Sequence, residues 1–568
     1  MGNQRNMIVA LVLSAIVLFG WSLISDRLLP TANKPATQIV DGKSQPLPNP
    51  AAQPTSTAPA TIRTREAVIA ETPRVRIATP RLAGSINLRG ARIDDLVLTT
   101  QRETIAKDSP PIRLLSPDGA GDAYFASFGW SGDGVALPDA NTVWTASGTL
   151  LAPGRPVTLS WDNGRGQIFA LRLSVDDGYL FTVEQAITNR GSAPVAARTY
   201  GFINRTGHSK DPSSWTIHTG PVGVFNGSAN YDVDFTDLDE EPAGARFQTT
   251  GGWVGFGDKY WLTALAPDQK AAVEAGFRKG SGDRYQADYA SQPAIVAPGA
   301  TQRASAHFFA GGKDVTLLDR YKQTPGIDRI DRAIDWGWFI WFEKPIFYLL
   351  DWLFRMVGNF GVAIILLTFI IRGLMFPIAN KQFKSMAAMR VIQPKMKALQ
   401  DRHKDDKPRL QQEMMKLYQE EKINPLAGCL PIVLQIPIFY ALYKVLMLTL
   451  EMRHQPFALW IKDLSAPDPM TPVNLFGLLP FQPTGFLHLG VLPILLGITM
   501  YVQFKLNPQQ GDPTTQQVMG LMPWVMMFVF APFAAGLQLY YVASNLITIA
   551  QQKWLYSRYP GMKAAAAK

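Results

Sequence analysis

Val357 to Ile378 reads VGNFGVAIILLTFIIRGLMFPI, a run that is apolar apart from Asn359, Thr368 and Arg372. A helix of about 20 such residues crosses a hydrocarbon core of roughly 30 Å, so this stretch places the chain among membrane proteins. More apolar stretches follow in quick succession. Leu430 to Leu450 is broken by Pro431, Gln435, Pro437 and Lys444; then come Leu489 to Phe504, Val518 to Pro532 and Ala535 to Ala550, the last two joined by an uncharged tight turn at Phe533 and Ala534. At the other end, residues 7 to 24 (MIVALVLSAIVLFGWSLI) are uncharged behind Arg5 and run straight into Asp26 and Arg27 without a small-residue cleavage pattern. That favours an uncleaved anchor, residues 1 to 29, over a cleaved signal. Six crossings are expected in all.

The rest of the composition fits a chain of unlike parts. At 568 residues it is too long for one core, its charged fraction of 18% is low, its aromatic fraction of 11% is high, and a mean hydropathy of +0.01 averages very apolar stretches with ordinary ones. A single cysteine, Cys429, excludes an intramolecular disulfide and any Cys-based zinc cluster. Seven prolines between Pro30 and Pro59 mark a tether over residues 30 to 60. From 61 to 325 the pattern becomes strand-like alternation. Ile168 to Val175, Asp176-Asp177-Gly178, Tyr179 to Thr188 and Asn189-Arg190-Gly191 read as consecutive hairpins, with further strands at Trp253 to Phe256 and Ala304 to Phe309. One large antiparallel β-sandwich is expected there. Nine aromatics between Trp336 and Phe354, alongside Glu343, Lys344, Asp351 and Arg355, then favour a helix lying in the membrane interface, residues 330 to 356, over a buried core helix.

Basic residues set the orientation. Residues 380 to 424 carry eleven Lys or Arg against six acids, and the tail from Gln551 carries four against none, together nearly all of the chain's +10. By the positive-inside rule both lie in the cytoplasm. Alternation then puts the N-terminus inside and the β-domain outside, in the periplasm. The expected order is thus a second crossing at 357–379, a cytoplasmic helical hairpin at 380–424, crossings three to six within 425–556 and a cytoplasmic tail at 557–568.

Arg372 is the most informative residue. It sits about two turns inside its crossing, where a guanidinium is costly and where snorkelling back to the headgroups is strained, which favours a hydrated, functional arginine. Thr368 lies four residues earlier on the same face. The last crossing carries Gln538, Tyr541, Asn545, Thr548 and Gln552 at spacings of three and four, a stripe that must face protein or water, and Gln435 with Phe439 forms a similar pair on the third. Interhelical hydrogen bonding and cavity lining both account for the stripe; Arg372 in the same bundle favours the cavity. In the basic hairpin, Met386, Met389, Met396, Met414 and Met415 suit a soft binding surface or a core, and its charge suits ribosomal RNA, anionic lipid or mere topology. No HExxH, GxSxG or GxGxxG occurs, and Gly42-Lys43-Ser44 lacks the rest of a phosphate loop. No catalytic residue, metal ligand or cofactor is expected, nor an ATP site.

Six stretches carry a resemblance: TFIIRG at 368–373, MRVIQPK at 389–395, NPLAGC at 424–429, QIPIF at 435–439, PFALWIKDLS at 456–465 and LYYVASNL at 539–546. Together they resemble, in order, the YidC/Oxa/Alb family of membrane protein insertases. The resemblance implies a five-helix core around a hydrophilic groove, open to the cytoplasm and lipid, in a Gram-negative inner membrane. Arg372 matches the family's groove arginine, which attracts acidic residues of an arriving client, and Thr368, Phe439, Tyr540 and Tyr541 fall on helices that contact it. It also implies nascent inner-membrane proteins as clients, a hairpin that meets ribosome or targeting machinery, and work beside the Sec translocon. The tail from Met562 to Lys568 is short for ribosome tethering. Read without the resemblance, the chain also fits a transporter or channel with Arg372 as an anion site, or a membrane-anchored binding protein working through its β-domain.

Overall fold

The computed structural model describes residues 37–40, 43–46, 63–211, 217–403, 406–421, 430–476, 478–479, 481, 489–506 and 513–558. The expected N-terminal crossing, the 424–429 motif and the tail beyond residue 558 lie outside them. Within the Pro-rich stretch, Thr37–Val40 and Lys43–Pro46 pair as an isolated two-stranded ribbon. The chain divides into two compact units, one running to Asp335 and one starting at Trp336.

The first unit is a β-sandwich of a nine-stranded and an eleven-stranded sheet. Alternation builds it: along Gln167–Val175 the residues Phe169, Leu171 and Leu173 are buried, and the strand pairs antiparallel with Leu180–Asn189. The intervening turn is held by the Asp176 carboxylate, which accepts from the Gly178 and Leu180 amides at 2.9 and 3.0 Å. Edge-to-face rings join the layers, Trp130 to Phe169 at 5.2 Å and Phe128 to Phe308 at 6.4 Å.

Three expectations need correcting. Asn189-Arg190-Gly191 is not a hairpin turn, because the next strand, Val195–Thr206, belongs to the other sheet. The buried Asn189 pins this crossover, its side-chain amide donating to the Ala193 and Val296 carbonyls at 2.8 and 3.0 Å. The sandwich also contains a parallel strand pairing, Arg76–Ile77 beside Leu150–Leu151. Finally, the unit runs past residue 325 to Asp335: the helix Val315–Gln323 is stapled to the 176–180 turn by the Tyr321 hydroxyl, which donates to Asp176 at 2.6 Å and accepts from the Tyr179 amide at 3.0 Å, and beyond residue 325 the Arg332 carbonyl accepts from the Tyr231 hydroxyl at 2.6 Å.

Lys313 is a buried cation in this unit, 4% exposed. Burial pushes its amine down from 10.5 to about 8, partly offset by the attraction of Asp258, Asp335 and Asp211. The unfolded chain therefore holds more protons between about pH 8 and 10.5, and stability rises with pH across that window. Lys313→Met is expected to raise the thermal midpoint of the full chain at pH 7 and to flatten that rise. An unchanged pH slope in the variant, followed by circular dichroism of the β signal, would assign the rise to another group.

The second unit is helical. Its helices are α1 (Ile340–Val357), α2 (Phe360–Arg402), α3 (Lys407–Glu420), α4 (Leu430–Leu448), α5 (Val491–Leu506), α6 (Pro513–Phe530) and α7 (Ala535–Arg558). The aromatic stretch is helical only from Ile340; two 3₁₀ turns, Ile330–Ala333 and Gly337–Phe339, precede it, which corrects the expected 330–356 helix. Around α1, Trp338, Trp341, Tyr348 and Trp352 are exposed while Ile346, Phe347, Leu350 and Leu353 are buried. Gly358, with a left-handed φ of 68°, ends α1, and the Asn359 side chain then caps α2 by accepting from the Val362 amide at 3.0 Å. Asn359 is thus a helix cap and not a residue within the crossing.

Beyond that cap, α2 does not stop at 379. It runs on as the first arm of a helical hairpin, and Asp406 and Pro408 start the second arm, α3, as their helix-breaking character implies. Ile392, Met396 and Leu417 form the hairpin's buried core with Leu399, Met414 and Tyr418 packed against it. Met396 is buried in this core and Met414 is partly buried against it, whereas Met415 is exposed; Met386 and Met389 lie on α2, outside the residues whose side chains are described. Among the described residues Phe360–Gln382, with a mean hydropathy of 2.3, is the one helix both long and apolar enough to cross a membrane, and Gln435–Leu448, Val491–Leu506 and Gln517–Phe530 are shorter apolar helices.

Candidate functional site

Arg372 lies twelve residues into α2, about 18 Å along its axis at 1.5 Å per residue and so near the middle of an apolar span. The side chain does not reach back along its own helix. It turns across to α7, where Nε donates to the Ser544 hydroxyl at 2.9 Å and a terminal nitrogen donates to the same oxygen. The guanidinium borders a cavity of about 510 Å³ walled by α2, α4, α5, α6 and α7. Its polar lining holds Gln382 on α2, Gln435 on α4, Gln503 on α5, and Tyr541, Asn545, Thr548, Gln551 and Gln552 on α7. To the same lining α5 and α6 contribute Met500, Met519, Met522 and Met526, and α2 adds Met375. Among the described lining residues Arg372 carries the only charge.

The helix positions explain which expected residues reach the cavity. Phe439 and Tyr541 meet edge to face at 5.5 Å, and Tyr541 rests against Phe530 at 4.7 Å, which leaves both at the lining. Asn545 does two jobs, bordering the cavity and donating to Thr499 on α5 at 3.0 Å. Three expected groove residues do not line it. Thr368 is fully buried and its hydroxyl back-bonds to the Ile364 carbonyl at 2.7 Å. Tyr540, one step round α7 from Tyr541, is buried and accepts from the Gln435 amide at 2.8 Å. Gln538 is spent on the tight turn before α7, donating to the Phe530 and Phe533 carbonyls at 2.9 and 2.8 Å. These carbonyls lie at and just past the end of α6, where intrahelical donors run out, and the Phe530 carbonyl also accepts from the Phe533 amide at 3.1 Å.

The sequence matches known proteins along its length. The family model described as "60Kd inner membrane protein" matches residues 352–563, and that described as "YidC periplasmic domain" matches residues 74–349. The chain is 52% identical over 559 residues to the membrane protein insertase YidC of Zymomonas mobilis subsp. mobilis, covering 98% of this chain and 96% of that protein. The chain belongs to the YidC family. A second YidC, from Methylobacterium nodulans, is 43% identical over 581 residues with the same coverage of 98% and 96%. Among solved structures, that of an active YidC insertase with its first transmembrane domain resolved is 18% identical, covers 85% of this chain and 93% of its own, and has a TM-score of 0.36.

In this YidC-family chain the sequence pattern missed Ser544 and the methionine lining. Ser544 follows Ala543 on a helix of small and apolar residues, where a serine reads as close packing. Its spacing of four from both Tyr540 and Thr548 was the available signal. The lining on α6 follows Met519, Met522 and Met526 at spacings of three and four, a helical stripe that is hard to see because the other faces are apolar too. Among the described residues no group of three or more His, Cys, Asp or Glu could hold a metal ion.

Proposed function

We propose that this chain is a membrane protein insertase whose groove is the cavity bordered by Arg372. The observation that carries the reading is a lone guanidinium halfway along the apolar span Phe360–Gln382, at the edge of a space lined by polar side chains and methionines. A nascent inner-membrane protein would place an acidic flank near Arg372, so its polar groups cross part of the bilayer without full dehydration. Its apolar segment then passes sideways into lipid, a step driven by burial of apolar surface and needing no ATP. The soft, unbranched methionines suit client segments of many shapes.

The wider arrangement belongs to the same proposal. Six crossings place both termini and the α2–α3 hairpin in the cytoplasm and the β-sandwich in the periplasm of a Gram-negative inner membrane. The exposed tryptophans of the α1 region rest among lipid headgroups. The hairpin would meet the ribosome and targeting machinery, and some clients would arrive through the Sec translocon.

Photo-crosslinking to a stalled nascent membrane protein tests this, with probes at Phe439 and Tyr541, which line the cavity, and at the buried Thr368 as a control. Client adducts from 439 and 541 and none from 368 are expected. Adducts only to small solutes would point instead to a transporter using Arg372 as an anion site.

A further inference from the structure

Arginine is long enough to point several ways, and the contacts on α7 decide which one Arg372 takes. Nε and one terminal nitrogen donate together to a single oxygen, Ser544 Oγ, and so occupy the side-on edge of the guanidinium. Five N–H groups are available to an arginine; with two engaged, the end-on pair is left over. Ser544 is a rigid anchor, 1% exposed, on a helix packed against α2 and α5. No acidic side chain is among the described residues that line the cavity, so the end-on edge is left for a carboxylate that arrives from outside. Such a carboxylate fits that edge with two parallel N–H···O bonds, which give direction as well as strength.

We infer that Ser544 is a positioning residue: it clamps the Arg372 side-on edge so that the end-on edge faces the cavity and reads one client carboxylate at a time. The inference rests on the groove reading proposed above. The hydroxyl itself never touches the client. Its loss frees the arginine to take other rotamers, including ones that reach back toward the headgroups, and the selectivity for acidic flanks falls even though the positive charge remains.

The test compares full-length chains reconstituted in vesicles, using one client with an Asp in its translocated flank and a sibling with Asn at that position. The readout is the ratio of acidic to neutral client inserted. Ser544→Ala and the near-isosteric Ser544→Cys are expected to lower this ratio about three- to tenfold, the size of losing one ordinary hydrogen bond. Ser544→Thr, which keeps a hydroxyl, should restore it to within about twofold. In an Arg372→Ala background, Ser544→Cys should change the ratio no further. A fall shared equally by both clients, a threonine variant as poor as the cysteine one, or an additive loss in the Arg372→Ala background would each overturn the positioning role. If Arg372→Ala itself leaves the ratio unchanged, the groove reading fails, an outcome that the serine variants alone do not produce.

Discussion

Arg372→Ala is expected to reduce insertion of clients with Asp or Glu in the translocated flank by about tenfold or more, while clients with neutral flanks lose much less. A charge-assisted hydrogen bond away from bulk water contributes about 1.5–3 kcal/mol, and each 1.4 kcal/mol is a factor of ten. The alanine variant also removes the two Arg372 donors from the Ser544 hydroxyl. Arg372→Lys is expected to keep part of the activity, because the ammonium supplies the charge but cannot bond Ser544 and a carboxylate with the same planar fork. Protease protection of the translocated flank in vesicles measures both variants. Equal insertion of acidic clients by wild type and the alanine variant would contradict an electrostatic role.

The second large effect is on stability. Asp288 is fully buried in the eleven-stranded sheet, where it is ion-paired to Arg246, lies 3.6 Å from Arg278 Nε and accepts from the Gln286 amide at 2.8 Å. Removing one partner of such a pair leaves buried charge uncompensated, so Asp288→Ala should cost about 3–5 kcal/mol. Replacing both Asp288 and Arg246 by leucine and methionine should cost distinctly less, since the penalty comes mainly from the stranded guanidinium. Thermal unfolding of the full chain, followed by its β signal, distinguishes these. Equal destabilisation by the single and the double replacement would mean that the ion pair matters only through packing.

These two sites also mark how far the sequence could be read. The sandwich was legible wherever one face of a strand is wet, as along Gln167–Val175, because water enforces the two-residue period. The crossover at Asn189 was not, because an Asn-Arg-Gly turn has the same residues whether the next strand joins the same sheet or the opposite one; the deciding bond, to Val296, comes from 107 residues away. Asp288 gave no local sign of its burial, since its charged partners, Arg246 and Arg278, come from other strands.

In the helical unit, charge and polarity were legible and rotation was not. Arg372, Gln435, Phe439, Tyr541 and Asn545 stand out against apolar surroundings, and all five border the cavity. Thr368, Tyr540 and Gln538 stand out equally, but local bonds consume two of them and a step of one residue turns Tyr540 away from its neighbour. On α5 and α6 the exposed and the packed faces are both apolar, so periodicity cannot say which methionines look inward. The continuation of α2 into the hairpin was obscured by the change from apolar to basic composition at residue 380, which marks a change of solvent and leaves the backbone hydrogen bonding intact.

The account depends most on the space beside Arg372 being wet in the membrane. With Cys429 replaced by serine, single cysteines at Asn545 and Gln435, which line the cavity, and at Leu521, which is exposed on α6 away from it, can be challenged with a membrane-impermeant maleimide from the cytoplasmic side. The account predicts labelling at 545 and 435, none at 521, and protection of the first two by a stalled client. Cavity positions as unreactive as Leu521 would contradict it.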